Sequence, residues 1–112
     1  LVWIWICHTT LLLTLNKLIA VIEPRKNTTG TANTAVGNLS LYKNTTGYSN
    51  SAFGDNALYN NTTGIDNIAI GLKSLYTNTT GYSNIALGNG ALQNNSSGFR
   101  NISVGGLFTN TT

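Results

Sequence analysis

Asn61-Thr62-Thr63-Gly64-Ile65-Asp66-Asn67-Ile68-Ala69-Ile70-Gly71-Leu72-Lys73-Ser74-Leu75-Tyr76-Thr77 is one copy of a unit that recurs in strict steps of seventeen residues. Its leading phrase, Asn-Thr-Thr-Gly, begins at Asn27, Asn44, Asn61 and Asn78 and returns as Asn-Ser-Ser-Gly at Asn95. A second phrase keeps the same step, from Asn33-Thr34-Ala35-Val36-Gly37 through Asn50-Ser51-Ala52-Phe53-Gly54, Asn67-Ile68-Ala69-Ile70-Gly71 and Asn84-Ile85-Ala86-Leu87-Gly88 to Asn101-Ile102-Ser103-Val104-Gly105. A third marker is the leucine at Leu41, Leu58, Leu75 and Leu92. Self-similarity at a fixed short period means stacked structural units rather than a compact layered domain.

Inside the unit the apolar spacing is two. Ile68 and Ile70 therefore share one face of an extended chain and Ala69 points to the other. Glycine and asparagine recur too often for a helix, so the segment reads as a strand. The tenth residue of the unit is always bulky (Val36, Phe53, Ile70, Leu87, Val104) and the ninth always small (Ala35, Ala52, Ala69, Ala86, Ser103). The bulky series, together with Leu41, Leu58, Leu75, Leu92 and Leu107, is the expected core ladder. A second short strand is expected over the leucine marker, as in Ala57-Leu58-Tyr59 or Ser74-Leu75-Tyr76. Two glycine series are expected to make the turns: Gly30, Gly47, Gly64, Gly81 and Gly98 in the first phrase, and Gly37, Gly54, Gly71, Gly88 and Gly105 after the strand. Glycine adopts positive backbone angles without steric cost, and Asn and Thr side chains can bond nearby backbone groups.

These elements predict an all-β fold, a parallel β-roll or solenoid of about five seventeen-residue coils over residues 27–112. Coils stack at about 4.8 Å, so equivalent residues form columns. Asn33, Asn50, Asn67, Asn84 and Asn101 are expected to make an amide ladder, as stacked asparagines do in other in-register sheets. Tyr42, Tyr59 and Tyr76 are expected to make an aromatic ladder beside it. After Gly105 the pattern resumes at Leu107 only with two residues deleted, and Asn110-Thr111-Thr112 starts a further unit, so the repeats are expected to continue beyond Thr112.

Residues 1–22 differ from everything that follows. Trp3, Trp5 and a run of Leu, Ile and Val are interrupted by His8, three threonines, Asn16 and Lys17. Two expectations stand side by side: a hydrophobic cap, helical or extended, over the open end of the stack, or an export or membrane-associating segment. Residues 23–26, Glu-Pro-Arg-Lys, read as a linker because proline fixes its own backbone and biases its predecessor to extended geometry. Methionine is absent even at position 1, and the chain is expected to be a processed product or a piece of a longer reading frame.

Only 8% of the 112 residues are charged, but 41% are apolar and regularly placed, which separates the repeats from a disordered polar tract. Of the net charge of +3, Lys17, Arg25 and Lys26 against Glu23 leave +2 ahead of the repeats, and Lys43, Lys73 and Arg100 against Asp55 and Asp66 leave +1 within them. No basic stripe results, which argues against a nucleic-acid partner.

Chemistry-bearing constellations are sparse. Cys7 and His8 have no second Cys or His to complete a metal or acid–base site, so no cofactor is expected. Gly105-Gly106 lacks the aspartate of a calcium-binding solenoid turn. Asn-Thr-Thr at Asn27, Asn44, Asn61, Asn78 and Asn110, and Asn95-Ser96-Ser97, are also glycosylation acceptor patterns, although turn chemistry accounts for the same residues. Paired threonines raise ice binding as a minor reading, but adjacent hydroxyls of an extended chain point to opposite faces.

The phrases at Asn67 and Asn84, Asn-Ile-Ala-Ile-Gly and Asn-Ile-Ala-Leu-Gly, are similar to the head-domain repeats of trimeric autotransporter adhesins. The full unit with Asn-Thr-Thr-Gly looks like arrays in long bacterial surface proteins and phage tail-fibre-like proteins. The resemblance covers residues 27–112. It implies a left-handed parallel β-roll, a tight homotrimer at a cell surface and attachment to a host surface or matrix ligand, with no ligand-binding residue placed. The expected function is thus a non-enzymatic structural or adhesive module of a cell-surface or extracellular protein. The alternative is the shaft of a phage or viral tail fibre.

Overall fold

The computed structural model describes residues 26–106 and the backbone of Leu18 and Ile19. Among the described residues there are six short strands: β1 (Leu18–Ile19), β2 (Asn33–Val36), β3 (Ser51–Phe53), β4 (Ile68–Ile70), β5 (Ile85–Leu87) and β6 (Ile102–Val104). They form one sheet in the order β1-β2-β3-β4-β5-β6, every neighbour parallel. Parallel strands of consecutive sequence order require a crossover between each pair, and here the crossover is the remainder of the coil. The described residues form an all-β solenoid. From β2 onward the register advances by one repeat per strand: Ala35 faces Ala52, Ala52 faces Ala69, Ala69 faces Ala86 and Ala86 faces Ser103.

β1 lies in the hydrophobic segment ahead of the repeats. Leu18 is opposite Asn33 and Ile19 opposite Thr34, an offset of fifteen residues in place of seventeen. In sequence, Leu18-Ile19 is followed by Ala-Val as Asn33-Thr34 is, so a degenerate repeat phrase is hidden in the apolar run. The remaining parts of the cap, export and linker expectations for residues 1–25, and that for Leu107, lie outside the described residues.

The core differs from the expected one. Val36, Phe53, Ile70 and Val104 are 38%, 39%, 44% and 75% exposed, and Leu87 is half-exposed. What lies inside the strand wall is the small series, Ala35, Ala52, Ala69 and Ala86, all fully buried. The alternation along the strand is the expected one, with inside and outside exchanged. The reason is volume. Each coil is narrow, and its interior must also hold Leu41, Leu58 and Leu75, all fully buried, and two asparagine columns, which leaves space for only a methyl group opposite. Leu92 packs partly buried against the same cluster.

No second strand forms at the leucine marker. Leu41, Leu58, Leu75 and Leu92 have φ of 50°, 51°, 49° and 51°, in the left-handed region. An extended chain would send Ala57 and Leu58 to opposite sides, whereas the left-handed leucine lets both point inward. Further left-handed positions recur at Ala32, Ser49, Asp66, Ser83 and Arg100 ahead of each strand, and at Leu39, Asn56 and Lys73 after it. Each such residue costs about 1–2 kcal/mol relative to the right-handed region, so burial and inter-coil hydrogen bonds must hold it there.

Of the two glycine series only one has the expected backbone. Gly37, Gly54, Gly71, Gly88 and Gly105 have φ between 112° and 137°. The glycine of the Asn-Thr-Thr-Gly phrase does not lie in the left-handed region. A Cβ on Gly64 would instead stand 2.5 Å from the Gly81 carbonyl oxygen and 2.9 Å from Asn78 Nδ2, and would collide with Asn61 Oδ1. This glycine is required by close approach.

Two substitutions distinguish the observed wall from the expected one. Ala69→Val forces extra methyl groups into a closed interior and is expected to lower stability by about 1–3 kcal/mol. Ser83→Gly removes left-handed strain without disturbing the Ser83 N–H donation to Ile65 O (3.0 Å) and is expected to leave stability unchanged or raise it by up to about 1 kcal/mol. Urea unfolding of both variants measures the contrast.

Candidate functional site

Two columns of asparagine run through the corner of the coil. In the first, Asn50, Asn67, Asn84 and Asn101 each donate Nδ2–H to Oδ1 of the asparagine one coil earlier, beginning at Asn33, at 3.0–3.1 Å. The backbone N–H of the same four residues reaches the same oxygens at 3.0–3.1 Å. In the second, Asn44, Asn61, Asn78 and Asn95 donate to the preceding Oδ1, beginning at Asn27, at 2.7–3.1 Å. The sequence singles out the first column. The second is hidden in the turn phrase, and its only signal is an asparagine that never varies three residues before a glycine that never varies.

The glycine joins the two columns. Gly64 O accepts from Asn50 Nδ2 at 2.8 Å and from Asn61 Nδ2 at 3.0 Å. Gly47 O accepts in the same way from Asn33 and Asn44, Gly81 O from Asn67 and Asn78, and Gly98 O from Asn84 and Asn95. Asn44, Asn50, Asn61, Asn67, Asn78 and Asn84 are fully buried. A buried amide is tolerated only when its groups are bonded, and here every coil bonds them identically.

This burial bears on the glycosylation pattern. Asn44, Asn61 and Asn78 occupy acceptor triplets, yet each Nδ2 is sealed in the coil and engaged with two oxygens. A glycan on any of them has no room in the folded corner.

The threonines that follow are unequal. Thr28, Thr45, Thr62 and Thr79 donate their hydroxyls to the carbonyl of the next coil's equivalent residue at 3.0–3.1 Å. The backbone N–H groups of Thr45, Thr46 and Gly47 converge on the same Thr62 oxygen at 3.0–3.1 Å, and those of Thr62, Thr63 and Gly64 on Thr79 O. Thr29, Thr46, Thr63 and Thr80 are exposed, as a single file. Their outward neighbours two residues on are Thr31, Tyr48, Ile65 and Tyr82, and bulky side chains there interrupt the flat double row that an ice lattice would match.

The outward side of the strand wall carries two parallel files, Thr34-Ser51-Ile68-Ile85-Ile102 and Val36-Phe53-Ile70-Leu87-Val104. Each residue is exposed or half-exposed, and neither file contains a charge. Leu72, also exposed, extends the apolar surface beyond β4. Asp55, Asp66 and Arg100 stand at the flanking positions, all exposed.

On the wall after the leucine corner, Tyr42, Tyr59 and Tyr76 form a column with ring centroids 5.4 and 5.3 Å apart and rings within 13° and 17° of parallel. Lys43 Nζ lies 5.3 Å from the Tyr59 ring and Lys73 Nζ 5.8 Å from that of Tyr76, within cation–π range. Tyr82 stacks on Phe99 at 4.9 Å. Among the described residues no three His, Cys, Asp or Glu side chains gather to hold a metal ion. Cys7 and His8 lie outside them. Comparison with known proteins finds no matching family model, no matching curated protein and no matching solved structure.

The corner predicts an ordered series of losses. Asn67→Ala strands the Asn84 N–H and deprives Gly81 O of one donor, at about 1–3 kcal/mol for each buried group left unsatisfied. Gly64→Ala, which drives a methyl group into the neighbouring coil, is expected to cost more than Thr62→Ala, which loses a hydroxyl bond of about 0.5–1.5 kcal/mol. Thr63→Ala, on the surface, is expected to stay within about 0.5 kcal/mol of the parent. Equilibrium unfolding of the four variants checks the ranking.

Proposed function

We propose that the solenoid is a non-enzymatic structural or adhesive module of a cell-surface or extracellular assembly, joined to copies of itself through the outward strand face. The observation that carries this reading is the pair of uncharged files on that face. Large contiguous apolar surface with a polar rim is the character of an interaction site, not of free surface.

A second copy suits the face better than an unrelated partner. Its own files repeat at the same rise of about 4.8 Å, so side chains of one wall meet the gaps of the other along the whole length. The resemblance to trimeric autotransporter head repeats supports three chains around a common axis, with the bulky tenth-position residues turned toward it. A rod of this kind displays or spaces a binding element, whether as an adhesin at a cell surface or as the shaft of a fibre.

Analytical ultracentrifugation of the full chain tests the reading. Each chain contributes 11.9 kDa, and a species of three times that mass is expected. Ile70→Lys combined with Leu87→Lys places charges on the outward file without entering the core, and is expected to give a monomer with the parent's circular dichroism. A parent chain that is monomeric and fully folded at tens of micromolar would overturn the reading.

A further inference from the structure

The tyrosine column is placed for a reaction that the fold does not need. Tyr42, Tyr59 and Tyr76 occupy equivalent positions of three consecutive coils, their rings face to face at 5.4 and 5.3 Å, and each is half-exposed. The other described tyrosines are not so placed. Tyr48 and Tyr82 are two coils apart with Ile65 between them, and the ring stacked on Tyr82 is Phe99, which has no phenol.

We propose that this column is a site of oxidative coupling, in which one-electron oxidation joins Tyr42 to Tyr59 and Tyr59 to Tyr76 as dityrosine links between successive coils. The co-reactant is a peroxide acting through a one-electron oxidant. Each of two neighbouring phenols gives up an electron and, to the adjoining solvent, its hydroxyl proton. The resulting phenoxyl radicals carry unpaired density on the ring carbons next to the oxygen. One such carbon of each ring combines to form a single carbon–carbon bond. The hydrogen on each joined carbon then moves to the oxygen and restores both phenols. Per link the protein loses two hydrogen atoms and one hydrogen peroxide becomes two water molecules.

Stacking makes the pairing selective. Two radicals on one wall, held one coil apart, are at an effective concentration far above that of any second chain in dilute solution. Tyr59 has a neighbour above and below and two reactive ring carbons, so it can enter both links. Each link closes a seventeen-residue loop across the stacking direction, which restricts the unfolded chain. This inference rests on the column alone and is independent of the association proposed above.

The experiment is photo-oxidation of the full chain with a ruthenium–bipyridine complex and persulfate, a small diffusible system in which one persulfate accepts the two electrons of each link. The expected result is dityrosine fluorescence in the single-chain band of a denaturing gel, with peptide mass spectrometry identifying Tyr42–Tyr59 and Tyr59–Tyr76 links and the unfolding midpoint shifted upward. Tyr59→Phe, which keeps the stack but leaves Tyr42 and Tyr76 two coils apart, is expected to abolish the single-chain signal. Replacing Tyr48 and Tyr82 together by Phe is expected to leave it intact. No intrachain link in the parent, a signal that survives Tyr59→Phe, or an equal yield in urea would each overturn the proposal.

Discussion

One carbonyl oxygen per coil holds the solenoid together. The glycine that ends Asn-Thr-Thr-Gly offers its oxygen to two buried amides, one from its own phrase and one from the strand entry of the coil before, so a single acceptor fastens the corner to itself and to its neighbour. A side chain on Gly64 would collide with the asparagine of its own phrase, Asn61, and with the Gly81 carbonyl and Asn78 amide of the next coil. The absence of a Cβ, the identity of two asparagines and the seventeen-residue period are therefore one constraint. Lengthening a coil by one residue would move an amide off its oxygen in the interior, where a lost partner is not replaced by water.

With polar columns occupying the corner, little volume is left for apolar packing. The interior is lined by alanine methyl groups and one leucine per coil, a thin core that cannot stabilise a single unit in isolation. Neighbouring coils supply the rest. Most backbone bonds outside the strands run to the coil before or after, including the three N–H groups that meet at one threonine oxygen. Those inter-coil bonds are also what keep leucines, serines and a lysine in left-handed conformations that short peptides would avoid. Bulky side chains that the coil cannot hold are displaced to the outer wall, so the same narrowness that fixes the core creates the apolar face.

The period, the strand at Asn-x-Ala-x-Gly, the parallel sheet and the first asparagine column were legible because each is a statement about recurrence, and recurrence survives without knowledge of handedness or width. The side of the strand that faces inward was not legible. Alternation of Ile68, Ala69 and Ile70 is symmetric, and the preference for bulk inside, sound for a wide sheet, fails in a coil whose width is set elsewhere. The left-handed leucines were illegible for a related reason: propensity disfavours leucine there, and tertiary contacts override it. The sequence points to a turn at Gly64 on grounds of backbone angle, whereas the structure requires glycine there because of crowding. β1 was hidden because Ile19-Ala20-Val21 sits in an apolar run without its flanking asparagine and glycine.

The asparagine columns have a direction. In both, the later coil donates and the earlier accepts, while the threonine hydroxyls donate the opposite way. A coil that has just closed thus presents oriented amide oxygens to whatever chain follows it, and the next Asn33-type and Asn27-type residues have only to arrive and donate. For a chain synthesised from its amino terminus, the order of emergence and the order of bond formation coincide. Assembly becomes winding onto a template that already exists, one turn at a time, with the nucleation cost met once at the first turn rather than at every one.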